Sequence, residues 1–554
     1  MLYNIGMYIR TISRKNKDGS EVRYVQLAHN RRDKKAGYAK ADVLYNFGRE
    51  ENVDKEALRR LIKSINRFLG PEEALKSETG ELMQFLSSKP LGGAWFLDKL
   101  WAKLGIDKIL MKLLKSRKYS APVERAIFAM VANRALNPAS KLAVERWVNE
   151  DVYIDNLPEV EVQHLYRAMD FLLEADPKIQ EDVFFSVANV FNLEVDLIYF
   201  DTTSTYFETE PGEEDTFRKQ GKSKDHRPDL PQAVIGLAVT RDGIPVRCWS
   251  FPGNTADMSL VDQVKKDLTG WRLGRVITVM DRGFVSEDNL RILQQAGGHY
   301  IVGEKLRSGK AGVEEALSTR GRYQAVRDNL EVKEIIVGDG EARKRYVLVR
   351  NPHQAARDKE KRENALARLK VELEQAGASK GGLHNKACCR LLTHPTYGRF
   401  LKTLKNGVIK IDPVKVKAEE RLDGKYLLRT SDDTISAEDV ALGYKQLIEV
   451  EAAFRTLKNT LELRPVYHRI EQRIRAHVLL CWLALLMVRL AEKEIGESWP
   501  KIRENLERIH IGEFKSPKGF VCQRTELTNK QISYFKALKL EQPPRFFKIT
   551  TDHS

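Results

Sequence analysis

Glu194-Val-Asp-Leu-Ile-Tyr-Phe-Asp201 is where the chain changes period. Residues 93–192 ahead of it read as helices broken at Gly105, Ser120-Ala-Pro122, Asn137-Pro138 and Asp176-Pro177. The run itself is short, β-branched and aromatic, and it closes on an acid followed by Thr202-Thr203-Ser204, the pattern of a buried strand. Runs at 232–240 and 244–251 extend it into a meander through the turn Arg241-Asp-Gly243. Arg275-Val-Ile-Thr-Val-Met-Asp281 repeats the pattern, ends on a second acid before Arg282-Gly283, and lies between helical segments near 257–269 and 286–297. Tyr300-Ile-Val302 continues the sheet. Open α/β sheets place their sites at the carboxyl ends of such strands, so Asp201 and Asp281 read as site residues.

A third acid lies in Tyr444 to Lys458, Y-K-Q-L-I-E-V-E-A-A-F-R-T-L-K. As one helix at ~100° per residue, Tyr444, Glu451 and Lys458 drift only ~20° per step and share a face. They line one edge at intervals of ~10 Å. Leu447, Ile448, Val450, Ala453, Phe454 and Leu457 supply the apolar body. Alone, the stretch is equally an amphipathic helix with a solvated stripe. Glu449 points ~200° away from Glu451, and Glu462 lies ~16 Å further along the axis, so Glu451 is the third acid. Three antiparallel strands, then alternating helix and strand, then a helix with the last acid is the element order of a ribonuclease-H-like fold.

The fold class is therefore α/β and multi-domain, a ribonuclease-H-like mixed sheet with flanking helices. Residues 1–85 read as a small basic β segment plus a helix, with Arg10, Arg14, Arg23, Lys34 and Lys35 on the sheet and Gly70 capping the helix. Its basic face suits phosphate contact or plain solvation. Residues 86–192 form a helical region, in which Val123 to Leu136 and Ser140 to Val148 fit either a DNA-reading helix-turn-helix, with Lys141, Arg146 and Trp147 on the second helix, or plain helical packing. The core runs over 193–306, is interrupted by a β-rich inserted domain at 307–432, and resumes at 433–499 with the glutamate helix. Residues 500–554 are a mixed, basic tail.

The chain has 554 residues, 93 Lys and Arg against 77 Asp and Glu, and a net charge of +16. That balance favours a polyanionic partner such as nucleic acid. The five cysteines form no C-x-x-C pair, which argues against structural zinc and for a reducing compartment. The start lacks a signal peptide pattern, and the apolar run Val478 to Val488 is about half of a membrane span. A soluble, cytoplasmic protein with no membrane partner is expected.

Two strand-end aspartates and a helix glutamate suit two Mg²⁺ ions, because hard cations take carboxylate oxygens and leave positions for substrate phosphates. There is no Walker loop, no G-x-S-x-G and no H-E-x-x-H to compete. With D-T-T-S-T at Asp201, M-D-R-G-F at Asp281 and the turn Pro252-Gly-Asn254-Thr-Ala-Asp257, the chain resembles bacterial insertion-sequence transposases of the DDE class. Within them it resembles the group whose last acid lies in Y-(2)-R-(3)-E-(6)-K, read here as Tyr444, Leu447, Glu451 and Lys458 with leucine in place of arginine.

The resemblance implies cleavage and strand transfer at terminal inverted repeats of double-stranded DNA, insertion into target DNA, and a homodimer in the synapsed state. It implies catalytic and metal-binding roles for Asp201, Asp281 and Glu451, Mg²⁺ with Mn²⁺ as a substitute, and a nucleoid-associated location in a prokaryotic cell. Tyr444 and Lys458 would contact DNA phosphates and Arg282 would sit beside the second acid. Arg455, four residues after Glu451, is placed to supply the phosphate contact that Leu447 cannot. The competing readings are another ribonuclease-H-like nuclease and a catalytically inactive DNA-binding derivative.

Overall fold

The computed structural model describes residues 7–32, 39–69, 84–115, 117, 122–208, 215–271, 273, 275–378, 382–405, 407–516 and 519–551. Lys34, Lys35, Gly70, Ser120 and Ala121, named above from the sequence, lie outside them. The chain divides into two compact units, one of residues 1–87, 512–523 and 546–554, the other of 88–511 and 524–545.

In the first unit β1 (Met7–Lys15), β2 (Glu21–Arg32) and β3 (Ala39–Arg49) form an antiparallel sheet. The β1–β2 turn falls at Asn16 to Gly19, where Gly19 takes φ +86°, a left-handed conformation open to glycine. In the helix Lys55–Leu69, the Asp54 carboxylate accepts from the N–H groups of Glu56 and Ala57 at 2.9 and 3.0 Å. β4 (Gln84–Pro90) leads out of this unit.

The second unit opens with helices packed around Val123–Leu136, which is buried along almost its whole length against Val162–Glu174 and Glu471–Ile495. Of the two readings of this helix pair, plain helical packing fits the burial. The helix after the Asn-Pro turn, Lys141–Arg146, turns Lys141 and Trp147 into the core at 4% and 6% exposure. Of the three residues read as facing DNA, Arg146 alone is exposed, paired with Glu150 at 3.2 Å.

The centre of this unit is one nine-stranded mixed sheet. β5 (Leu197–Tyr206), β6 (Gln232–Thr240) and β7 (Pro245–Pro252) are the meander. β8 (Ile277–Met280) and β9 (His299–Glu304) come after them, parallel to β5. β10 (Gln324–Arg327), β11 (Leu330–Val337) and β12 (Lys344–Arg350) are next. β13 (Leu401–Thr403) and β14 (Ile409–Ile411) form a separate two-stranded sheet, and β15 (Lys425–Thr430) returns to the large sheet. The order is β10-β11-β12-β15-β9-β8-β5-β6-β7.

Two expectations change. The segment 307–432 is not a β-rich domain of its own, because β15 hydrogen-bonds to β9 and carries β12, β11 and β10 outward from the same sheet. The rest of it is chiefly helical, Pro352–Ala378 and Gly382–Thr393 with the β13–β14 pair, around Leu369, Leu391, Phe400 and Ile409. Secondly, β5 does not end at Asp201. The threonines after it have β-branched side chains suited to a pleated surface, and the strand runs on to Tyr206.

The helix Glu471–Ile495 is long and apolar enough to cross a membrane, but 89% of its most apolar window is buried in the protein, so it serves as a core helix. The C-terminal stretch divides between the units. Trp499, on Trp499–Glu507, is fully buried and donates its indole N–H to the Ala135 carbonyl at 2.7 Å. β16 (His510–Ser516), β17 (Gly519–Arg524) and β18 (Phe546–Thr551) supply strands to the first unit, where Phe85 packs on Phe514.

Candidate active site

β5 and β8 pair in parallel with Phe200 opposite Met280, so Asp201 and Asp281, one residue further on each, lie at one level. Side chains alternate across a strand. Phe200 enters the core with Met280, and Asp201 goes to the other face with Tyr199. The Tyr199 hydroxyl donates to the Gln446 side chain at 2.8 Å, which pins the helices Ala437–Lys445 and Ile448–Arg455 over that face. Asp201, Asp281 and Glu451 thereby line one cavity of about 440 Å³, together with Tyr444, Lys445 and Asn329.

The single helix expected from Tyr444 to Lys458 is broken twice. Its first part ends at Lys445, and the Leu447 and Glu449 N–H groups donate to the Tyr444 and Gln446 carbonyls at 3.1 and 2.9 Å in a tightened turn. After Arg455 a π-helical turn, Thr456–Thr460, adds a residue and swings Lys458 round the axis. Tyr444 and Glu451 keep a common cavity, but Lys458 does not join them. Its Nζ lies 2.7 Å from Asp225 Oδ1, where Arg464 also pairs at 2.7 Å, and its side chain is only 14% exposed. The expected DNA-facing lysine is thus turned inward. Glu449 leaves on the opposite side to Arg489, 3.0 Å away.

Tyr444 donates its hydroxyl to Asp281 Oδ1 at 3.0 Å. Burial, with the Asp281 charge adding to it, holds the phenol far above its ordinary pKa, so it stays a donor. The approach depends on Gly303 of β9, since a Cβ there would lie 2.3 Å from the Tyr444 oxygen. Burial also raises the Asp201 pKa above its ordinary value, with Lys224 opposing the rise and Asp257 and Asp281 adding to it. The Lys224 ammonium is 3.5 Å from Asp201 Oδ1 and 3.6 Å from Asp257 Oδ2, and it donates to the Thr202 carbonyl at 2.8 Å. Thr202 Oγ1 donates to Asp257 at 2.6 Å. Arg282 and Arg455 are both exposed, and Arg455 lies outside the cavity lining.

The three acids offer carboxylate oxygens, the donor set that hard divalent cations take. Among the described residues no three His, Cys, Asp or Glu side chains gather closely enough to hold a metal ion. Sequence reading missed Lys224, Asp225 and Gly303. Asp257 lies in the Pro252 to Asp257 turn, and the Lys222-Ser-Lys224 run is a sequence signal for the first of them, whereas the roles of Asp225 and Gly303 depend on distant partners.

Residues 200–487 match the family model for the transposase DDE domain, a span of just over half the chain that contains all three acids. The chain belongs to that family. Residues 9–77 match the N-terminal domain of IS1634 family transposases, and the protein is an insertion-sequence transposase. Domains of this family depend in general on divalent metal. A comparison with curated proteins gives no match. A solved structure similar to this chain is the piggyBac transposase synaptic complex with hairpin DNA, at 12% identity over 75% of this chain and 78% of that one, with a TM-score of 0.36.

Proposed function

We propose that Asp201, Asp281 and Glu451 are the catalytic and metal-binding acids of a transposase that cuts double-stranded DNA at terminal inverted repeats and joins the freed end to target DNA. The observation that carries this is the shared cavity, with two acids level on parallel strands and the third on the covering helix. Two Mg²⁺ ions held by these carboxylates, with Mn²⁺ able to substitute, would supply the charge that stabilises in-line displacement at phosphorus. The chain's own residues orient the site. Tyr444 fixes the rotamer of Asp281, and Lys224 holds Asp201 and limits charge repulsion among the acids.

The parallel β5, β8 and β9 beside the antiparallel β6 and β7 support a ribonuclease-H-like core. Three of four positions support membership of the Y-(2)-R-(3)-E-(6)-K group. Tyr444, Arg282 and Arg455 are assigned to DNA contact, and a homodimer to the synapsed state. Lys458 reaches phosphate only by leaving Asp225. A strand-transfer assay with a linear end and a supercoiled target tests the reading. Joined product dependent on divalent metal is expected, and cutting without joining would leave a plain nuclease.

A further inference from the structure

Next to Asp201, a second cavity of about 310 Å³ opens among Lys222, Lys224, Lys305, Asn254 and Thr255. The loop that carries Lys222 and Lys224 is held by close backbone approach. A Cβ at Gly221 would lie 2.2 Å from the Gly253 carbonyl oxygen, and one at Gly253 would lie 2.0 Å from that of Gln232 and 2.2 Å from that of Lys219. The Gln232 amide donates to the Gly253 carbonyl at 2.9 Å, and Gly253 N–H donates to the Phe217 carbonyl at 3.0 Å. The lysine-bearing loop is therefore seated on the 252–257 turn.

Lys224 belongs to both cavities' surroundings, since its ammonium touches Asp201. Lys222 and Lys305 are exposed and, among the described residues, have no carboxylate partner. Three ammonium groups against one acid in the lining, Asp257, leave this cavity cationic beside a cavity lined by three acids.

We propose that this second cavity is a phosphodiester subsite, in which Lys222 and Lys305 hold a DNA backbone phosphate next to the one presented to Asp201, Asp281 and Glu451. The proposal rests on the DNA-cutting role assigned to those acids. A neighbouring phosphate fixed there sets how the strand crosses the acids, so the lysines are positioning residues.

The test is the salt dependence of binding to a duplex carrying the terminal repeat, for the full chain and for Lys222→Gln with Lys305→Gln. One duplex stops at the cleavage position and another continues into flanking DNA. The double variant should melt like the wild type, bind at least one duplex about fivefold or more weakly, and lose about 0.9 from the log-log salt slope for each phosphate contact removed. Loss confined to the flanked duplex places the phosphate in the flank, and loss on both places it in the element. An unchanged slope and affinity on both duplexes, with the wild type binding normally, overturns the subsite. Failure of the wild type to bind repeat DNA at all would instead count against the DNA-cutting role.

Discussion

The Tyr444 hydroxyl reaches Asp281 only because position 303 has no side chain, so the reach of one residue in the active site is set by a glycine 141 positions away in the chain. Gly303→Ala should cost roughly 1–3 kcal/mol in chemical denaturation, the usual cost of overpacking. Tyr444→Phe in the same background should recover part of that, because it deletes the oxygen the new methyl meets. Lys141 offers a second test. Burial lowers its pKa to about 7, against an ordinary lysine value, with Arg134 adding to the fall. The folded value is depressed, so the cost of charging the amine is full below pH 7 and fades as pH rises toward the unfolded value of ~10.4. Lys141→Met should therefore raise the melting temperature, and by more at pH 6 than at pH 9. An equal or larger gain at pH 9 would show that burial does not depress the Lys141 pKa.

Among the strands and helices, the features legible in the sequence were periodic and local. The strand-like runs 232–240 and 244–251, the Asp-Gly turn with Gly243 at φ +71°, and the acids closing two hydrophobic runs correspond to β5, β6, β7 and β8. The breaks around the Glu451 helix were not legible, because the tightened turn at Gln446 depends on Tyr199, more than two hundred residues upstream. The place of β10, β11, β12 and β15 was hidden for the same reason, since strand pairing partners are chosen by tertiary packing and leave no local signature. Asp225 braces these elements together, joining the loop that carries Lys224 to Lys458 at the π turn and to Arg464. Its carboxylate is only 7% exposed, so Asp225→Asn leaves two partly buried cations uncompensated and should cost ~3–5 kcal/mol in urea unfolding. A loss under about 1 kcal/mol would mark the cluster as an ordinary surface pair.

Across the full chain, the net charge of +16 suits a long polyanion, and the family matches agree with it. The helical region 92–191 belongs to the same compact unit as the acids, with Val123–Leu136 buried against Glu471–Ile495. A fragment ending near residue 190 should consequently expose that face and aggregate, which gel filtration reads directly. A folded, monomeric fragment would show that the region is an independent domain. The function proposed for the protein stands or falls on Asp201, Asp281 and Glu451 acting as one site. Isosteric substitution probes this with the least disturbance, because each change removes a charge with little change of volume. Asp201→Asn, Asp281→Asn and Glu451→Gln should each abolish Mg²⁺-dependent cleavage and strand transfer of repeat-ended DNA while end binding and melting temperature stay near wild type. Near-wild-type cleavage by any one of the three would refute the shared site.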